Sequence, residues 1–218
     1  MTGQIITVVQ QKGGAGKTTL TAQLATGYLK AGLSVATIDI DPQGSLSLWY
    51  AARMASLADE NTLIHSQIQG WRLKKEADRL ADECDIVLID SPPHAESENS
   101  IAIRAADLVL IPVQPSPLDL WASRPTVQAV RNERAAAMFI FNRVPPRALL
   151  TENIAGKLAD LGIPAAKQYL GNRVAYAASI AEGKGVVETS SVSPASLEIA
   201  ALVKELRKLQ SRPLKAAA

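Results

Sequence analysis

Near the start of the chain, the stretch "KGGAGKTT" at residues 12–19 combines glycines, two lysines and two hydroxyls at a spacing suited to gripping a polyphosphate. Glycines let the backbone approach phosphate with no Cβ in the way, and successive N–H groups opening a helix point at the anion. In such a cradle Gly13, Gly14, Ala15 and Gly16 wrap the phosphates and Lys17 reaches the β- and γ-phosphates. Thr18 would hold Mg2+ through its hydroxyl, and Thr19 would complete the nucleotide-binding set. The strict spacing G-x-x-x-x-G-K-[ST] is broken at its first glycine, which is Gln11 here. One lysine suffices for phosphate. The other, Lys12, lies at the mouth of the loop, badly placed for its own γ-phosphate yet free to project from the nucleotide-bearing face.

A loop of this kind must sit between a strand and a helix. Residues 4–9, "QIITVV", form a short apolar, β-branched run that reads as a buried strand, and after Lys17 the apolar residues Leu20, Leu24 and Leu29 recur at roughly helical spacing. Further apolar runs at 34–41, 85–90, 107–113 and 137–142 suit parallel strands buried on both faces. Helical patterns alternate with them: Leu73, Ala77, Leu80 and Ala81 share one face, and 121–134 has helical length after the prolines of "PSPLD". The expected fold is α/β, a doubly wound, mostly parallel sheet with helices on both faces. Such sheets bind ligands at the carboxyl ends of their strands, where Asp39, Asp41 and Asp90 all fall. One aspartate after a strand is an ordinary turn or cap residue. Three of them, after strands that follow a phosphate loop, point to a nucleotide site.

The two-lysine loop "KGGAGKTT" resembles the deviant Walker A motif of the ParA/MinD family of P-loop ATPases. The resemblance runs from residue 4 to about residue 210 and is densest at 12–19, 39–45 and 90–93. It implies that Lys12 reaches across a dimer interface to the partner's ATP and acts with Lys17 and Asp41 in catalysis. "IDIDPQGSLS" resembles the family's switch I segment, in which Asp41 orients or deprotonates the attacking water and Asp39 supports the magnesium shell. Asp90 takes the Walker B position, holding Mg2+ through water, and leads into switch II, where His94 is a loop residue. "FNRVPPR" resembles the adenine-binding segment: Asn142 offers both donor and acceptor to the base, and Pro145 and Pro146 would wall it in. Trp49, Trp71 and Trp121 are unclustered in a chain only 4% aromatic, so they read as packing residues and not as a base-stacking platform.

With 218 residues, 47% of them hydrophobic, the chain can bury one substantial core, read as a single ATPase domain at 1–212 with a short tail at 213–218. No long apolar run suggests a transmembrane span, and a strand beginning at residue 4 leaves no room for a signal peptide or a leading helix-turn-helix. Cys84 is alone, which fits a reducing cytoplasm and argues against an iron-sulfur site. Charge is uneven: residues 1–142 carry 12 Lys and Arg against 15 Asp and Glu, net −3, whereas 143–218 carry 11 against 6, net +5. Arg173, Lys184, Lys204, Arg207 and Lys208 are therefore the DNA-binding candidates. The last helix, 194–210, carries a Leu202, Leu206, Leu209 stripe of core width without the bulky residues of a membrane anchor, so it is expected to dock on its own sheet. The leading reading is an ATP-dependent homodimer that binds DNA non-specifically, associates with the nucleoid, is stimulated by a ParB-like or cargo adaptor, and positions a cargo. A MinD-like membrane-associated regulator and a metabolic P-loop enzyme are the alternatives.

Overall fold

The computed structural model describes residues 2–57, 61–146 and 149–211; the tail expected at 213–218 lies outside them. Among the described residues six strands form one sheet: β1 (Gln4–Val8), β2 (Val35–Asp39), β3 (Ile64–Gln67), β4 (Ile86–Asp90), β5 (Leu108–Val113) and β6 (Ala137–Phe141). Their spatial order is β3-β2-β4-β1-β5-β6 and every pairing is parallel. The helices are α1 (Lys17–Lys30), α2 (Ser45–Leu57), α3 (Leu73–Glu83), α4 (Glu96–Ala105), α5 (Pro117–Asn132), α6 (Leu149–Ala159), α7 (Val174–Ala181), α8 (Val186–Thr189) and α9 (Pro194–Ser211), with a 3-10 turn at Gly70–Arg72.

The strand interiors are apolar on both sides because both sides are covered. Ile6, Val8, Ile86, Leu88, Leu108 and Leu110 join one core with Leu20, Leu24, Tyr28, Trp49, Ile199, Leu202 and Leu206 from α1, α2 and α9. Their neighbours Ile5, Val87, Ile89, Val109, Ile111 and Val113 point the other way, into a core with Leu73, Leu80, Ile103, Val127 and Leu158 from α3 to α6. The expected doubly wound sheet is the one found. Leu73, Ala77, Leu80 and Ala81 do share the buried face of α3.

Three expectations need correction. Strand β3 went unread, because an edge strand of four residues, "IHSQ", has partly exposed positions and no apolar run. Helix α5 begins at Pro117, four residues before the expected start: Ser116 caps it by accepting from the Asp119 N–H, and a proline at the first helical position has no amide hydrogen to lose. Of the three tryptophans only Trp49 packs; Trp71 is 76% and Trp121 58% exposed. The final helix docks as expected. Leu202 and Leu206 are fully buried and Leu209 packs against the same core, while Gly27 lets α1 approach so closely that a Cβ there would stand 2.8 Å from Ile199.

Candidate functional site

Sheet register sets the level of the site. β1 and β4 pair Val8 with Asp90, and β2 and β4 pair Asp39 with Asp90, so the phosphate loop leaves β1 at the height of both carboxylates. The base of the loop is fastened to β5 and α5: Gln10 donates to the Pro112 carbonyl and Ser123 Oγ, Thr126 Oγ1 donates back to Gln10 Oε1, and the Gln11 N–H donates to Thr126 Oγ1. Gly16 caps α1 at φ 92° with its Cα face against Asn142, where a Cβ would meet Nδ2 at 2.4 Å. Gly13 and Gly14 are exposed, whereas Ala15 is buried and could not line a contact with another molecule.

Thr18 Oγ1 donates to Asp90 Oδ2 at 2.6 Å. Burial pushes the Asp90 carboxyl up to about 7, partly offset by the Thr18 hydrogen bond and reinforced by Asp39. Burial also lowers the Lys17 ammonium below its ordinary value, against the pull of Asp90 and Asp41. A buried carboxylate held this far from its preferred charge state, beside a hydroxyl ligand, fits a divalent cation. Among the described residues no group of three or more His, Cys, Asp or Glu side chains could hold a metal alone. Mg2+ does not need one, since it takes one or two protein ligands together with substrate phosphates and water.

Asp39 is fully buried and already engaged. Its Oδ1 accepts the Asp41 N–H at 3.0 Å, and its Oδ2 accepts the Ser47 N–H at 2.9 Å and hydroxyl at 2.8 Å. It therefore ties the two ends of the turn that carries Asp41, whose own Oδ1 accepts the Gln43 N–H. Asp41 lines a second, open cavity of about 800 Å3 with Pro42, Trp71, Glu98 and Ile101. His94 lies in the loop after β4, at φ 56°, its N–H donating to the Gln11 carbonyl.

Lys12 does not project freely. Its Nζ is paired with Asp119 Oδ2 at 2.8 Å, and Asp119, buried, also accepts from Ser116 Oγ. The sequence carries no local signal for this pair, since Asp119 lies 107 residues from Lys12.

Asn142 is buried, its Nδ2 donating to the Ala15 carbonyl and its Oδ1 accepting from the Arg143 N–H. One N–H and one lone pair remain for a base. The adjoining cavity, about 370 Å3, is lined by Gly16, Thr19, Asn142, Leu170, Asn172 and Arg173, among others. Pro145 and Pro146 are exposed and do not line it, so the wall expected from them comes instead from the 170–173 segment, a long way off in sequence. Glu198 and Glu205 of α9 hold that segment, accepting from the N–H groups of Gly171, Lys167 and Gln168.

The basic candidates are not all in one place. Arg173 pairs with Glu198 at 2.6 Å at the rim of the cavity. Lys184 sits in the turn before α8, 3.3 Å from Glu182, beside Arg53 and Lys30. Lys204, Arg207 and Lys208 come together on the exposed face of α9.

Sheet order, glycine loop and strand-end carboxylates define a P-loop nucleotide-binding domain. Residues 6–187 match the CobQ/CobB/MinD/ParA nucleotide binding domain, and the chain belongs to that family as a P-loop ATPase. It is 28% identical over 193 residues to "Maintenance of carboxysome distribution protein A" of Halothiobacillus neapolitanus, covering 84% of this chain and 86% of the relative. It is 30% identical to "Protein ParA" of Rhizobium radiobacter, covering 80% and 81%. In fold it is similar to the cell division ATPase MinD of Pyrococcus furiosus, with a TM-score of 0.76 at 22% identity over 95% of this chain and 99% of the other.

Proposed function

We propose that this chain, as a single ATPase domain over residues 1–212, binds ATP with Mg2+ and pairs with a second copy through its P-loop face. In that state it binds DNA without sequence preference, and an adaptor on its cargo triggers hydrolysis and release. The cargo is a DNA locus or a protein assembly, the two classes that the names of the relatives suggest, and the protein works in the cytoplasm on the nucleoid.

The observation that carries this reading is a second lysine, Lys12, beside two exposed glycines at the nucleotide-bearing face; within one chain Asp119 holds it, an ion pair it would exchange for the ATP of the second copy. Lys17 and the loop N–H groups would grip the β- and γ-phosphates, and Asn142 would meet the adenine. Thr18 and Asp90 would hold Mg2+, which would supply positive charge against the charge developing on the phosphates. Asp41 would align the attacking water, a role that needs a positioned carboxylate more than a strong base. Against the membrane-associated alternative stands α9, whose apolar face, Leu202 and Leu206, is spent on the core.

The test is DNA binding by an electrophoretic shift with ATP, with ADP and without nucleotide, across a salt series, alongside sedimentation with anionic liposomes. Expected is an ATP-dependent shift that ignores sequence and weakens steeply with salt, as counterion release requires. Replacing Lys204 and Arg207 by Glu should abolish it while leaving ATP binding intact. ATP-bound protein that ignores DNA at low salt and pellets with liposomes would establish the membrane reading; rapid turnover on adding a small-molecule substrate would establish the metabolic one.

A further inference from the structure

The geometry points to His65, on edge strand β3, as a positioning residue for ATP hydrolysis: it holds the Ser47 hydroxyl as a donor to Asp39 and so fixes the turn that carries Asp41. This rests on Asp41 being the residue that aligns the water.

The direction of each hydrogen bond follows from what the groups can do. An ionised carboxylate only accepts, so the single hydrogen of the Ser47 hydroxyl is committed to Asp39 Oδ2, 2.8 Å away. Toward its other neighbour the Ser47 oxygen can only accept. That neighbour is His65 Nε2 at 2.9 Å, which must therefore carry a hydrogen. In the neutral ring Nδ1 then presents a lone pair, and Thr37 Oγ1, 2.9 Å from it and 3.3 Å from the Ile64 carbonyl, turns its one hydrogen to the shorter contact. Burial holds the His65 pKa below its ordinary value, although Asp39 pulls it up, which keeps the ring in this neutral form near pH 7. From Thr37 through His65 and Ser47 to Asp39, every hydrogen points toward the carboxylate.

The ring has little freedom to leave this arrangement. Parallel pairing of β2 with β3 sets His65 beside Thr37, and the ring stacks on Tyr50 of α2 with centroids 4.6 Å apart. Asp39 passes the constraint on, because the same carboxylate receives the Asp41 N–H. Loss of the His65 donor would leave Ser47 free to rotate and would loosen the first turn of α2 against Asp39. The nucleotide cavity, lined by other residues, would be untouched.

Steady-state ATPase assays and equilibrium ATP titration test this on His65→Phe, which keeps a stacking ring and removes both nitrogens. Turnover at saturating ATP should fall about five- to tenfold, the kinetic worth of one or so hydrogen bonds, with ATP affinity unchanged. His65→Gln, whose amide can donate to Ser47, should recover most of that loss. Ser47→Ala should reproduce the loss from the other side and serves if His65→Phe does not fold. In an Asp41→Ala background His65→Phe should cost nothing further. Wild-type turnover by both His65→Phe and Ser47→Ala, or an equal loss with and without Asp41, would overturn the proposal. Full turnover by Asp41→Ala alone would instead remove the Asp41 reading beneath it.

Discussion

At the scale of single residues the site is a set of charges held where water cannot neutralise them. Lys17 is buried with its ammonium pKa lowered, so it is poised to meet phosphate at little further desolvation cost. Lys17→Ala removes a charge-assisted contact of about 1.5–3 kcal/mol, or roughly a ten- to hundredfold loss of affinity, measurable by calorimetry with ATP. Unchanged affinity would contradict the assignment of the loop. Asp41→Ala should bind ATP normally and lose about a hundredfold or more in turnover if the carboxylate acts on the water as a base. Full turnover in that variant would move the role elsewhere. At Gly14, φ +75°, a valine would strain the loop itself, so a test of the exposed face belongs at Gly13, where an added Cβ meets nothing closer than His94 Nε2 at 3.7 Å.

At the scale of elements, the fate of α9 decides between functional classes. Its Leu202 and Leu206 are buried in the core that α1 also lines, and a Cβ at Gly27 of α1 would stand 2.8 Å from Ile199 and 2.9 Å from Val203. Gly27→Leu should therefore destabilise the fold by about 1–3 kcal/mol through overpacking, read as a shift in the urea midpoint; a helix resting loosely on the surface would tolerate it. The glycine loop, five of the six strands, the α3 face and the docking of α9 were all legible in the sequence, since each leaves a local pattern of period, glycine or charge. What escaped reading was built by distant contacts: the 170–173 wall of the cavity, the Asp119 partner of Lys12 and the His65 chain each join segments that no local pattern links. Strand β3 and the exposed Trp71 and Trp121 failed for a related reason. Edge strands and surface aromatics have no buried periodicity to betray them.

At the scale of the whole molecule, a net charge of +2 gives one chain little hold on a duplex. Two copies would double the phosphate contacts, and affinity rises steeply with their number. DNA binding is thus expected only from a dimer, and Lys204 and Arg207 on the exposed face of α9 are better probes than Arg173, whose replacement would also disturb Glu198 and the cavity rim. Everything in the account turns on nucleotide controlling association. Sedimentation velocity of the Asp41→Ala protein with Mg2+ tests this most directly, turnover being slowed so that the ATP state persists. We predict a species near the chain mass of 23.2 kDa with ADP and one of about twice that mass with ATP, lost again on adding Gly13→Val. A single species of chain mass under saturating ATP would contradict the account.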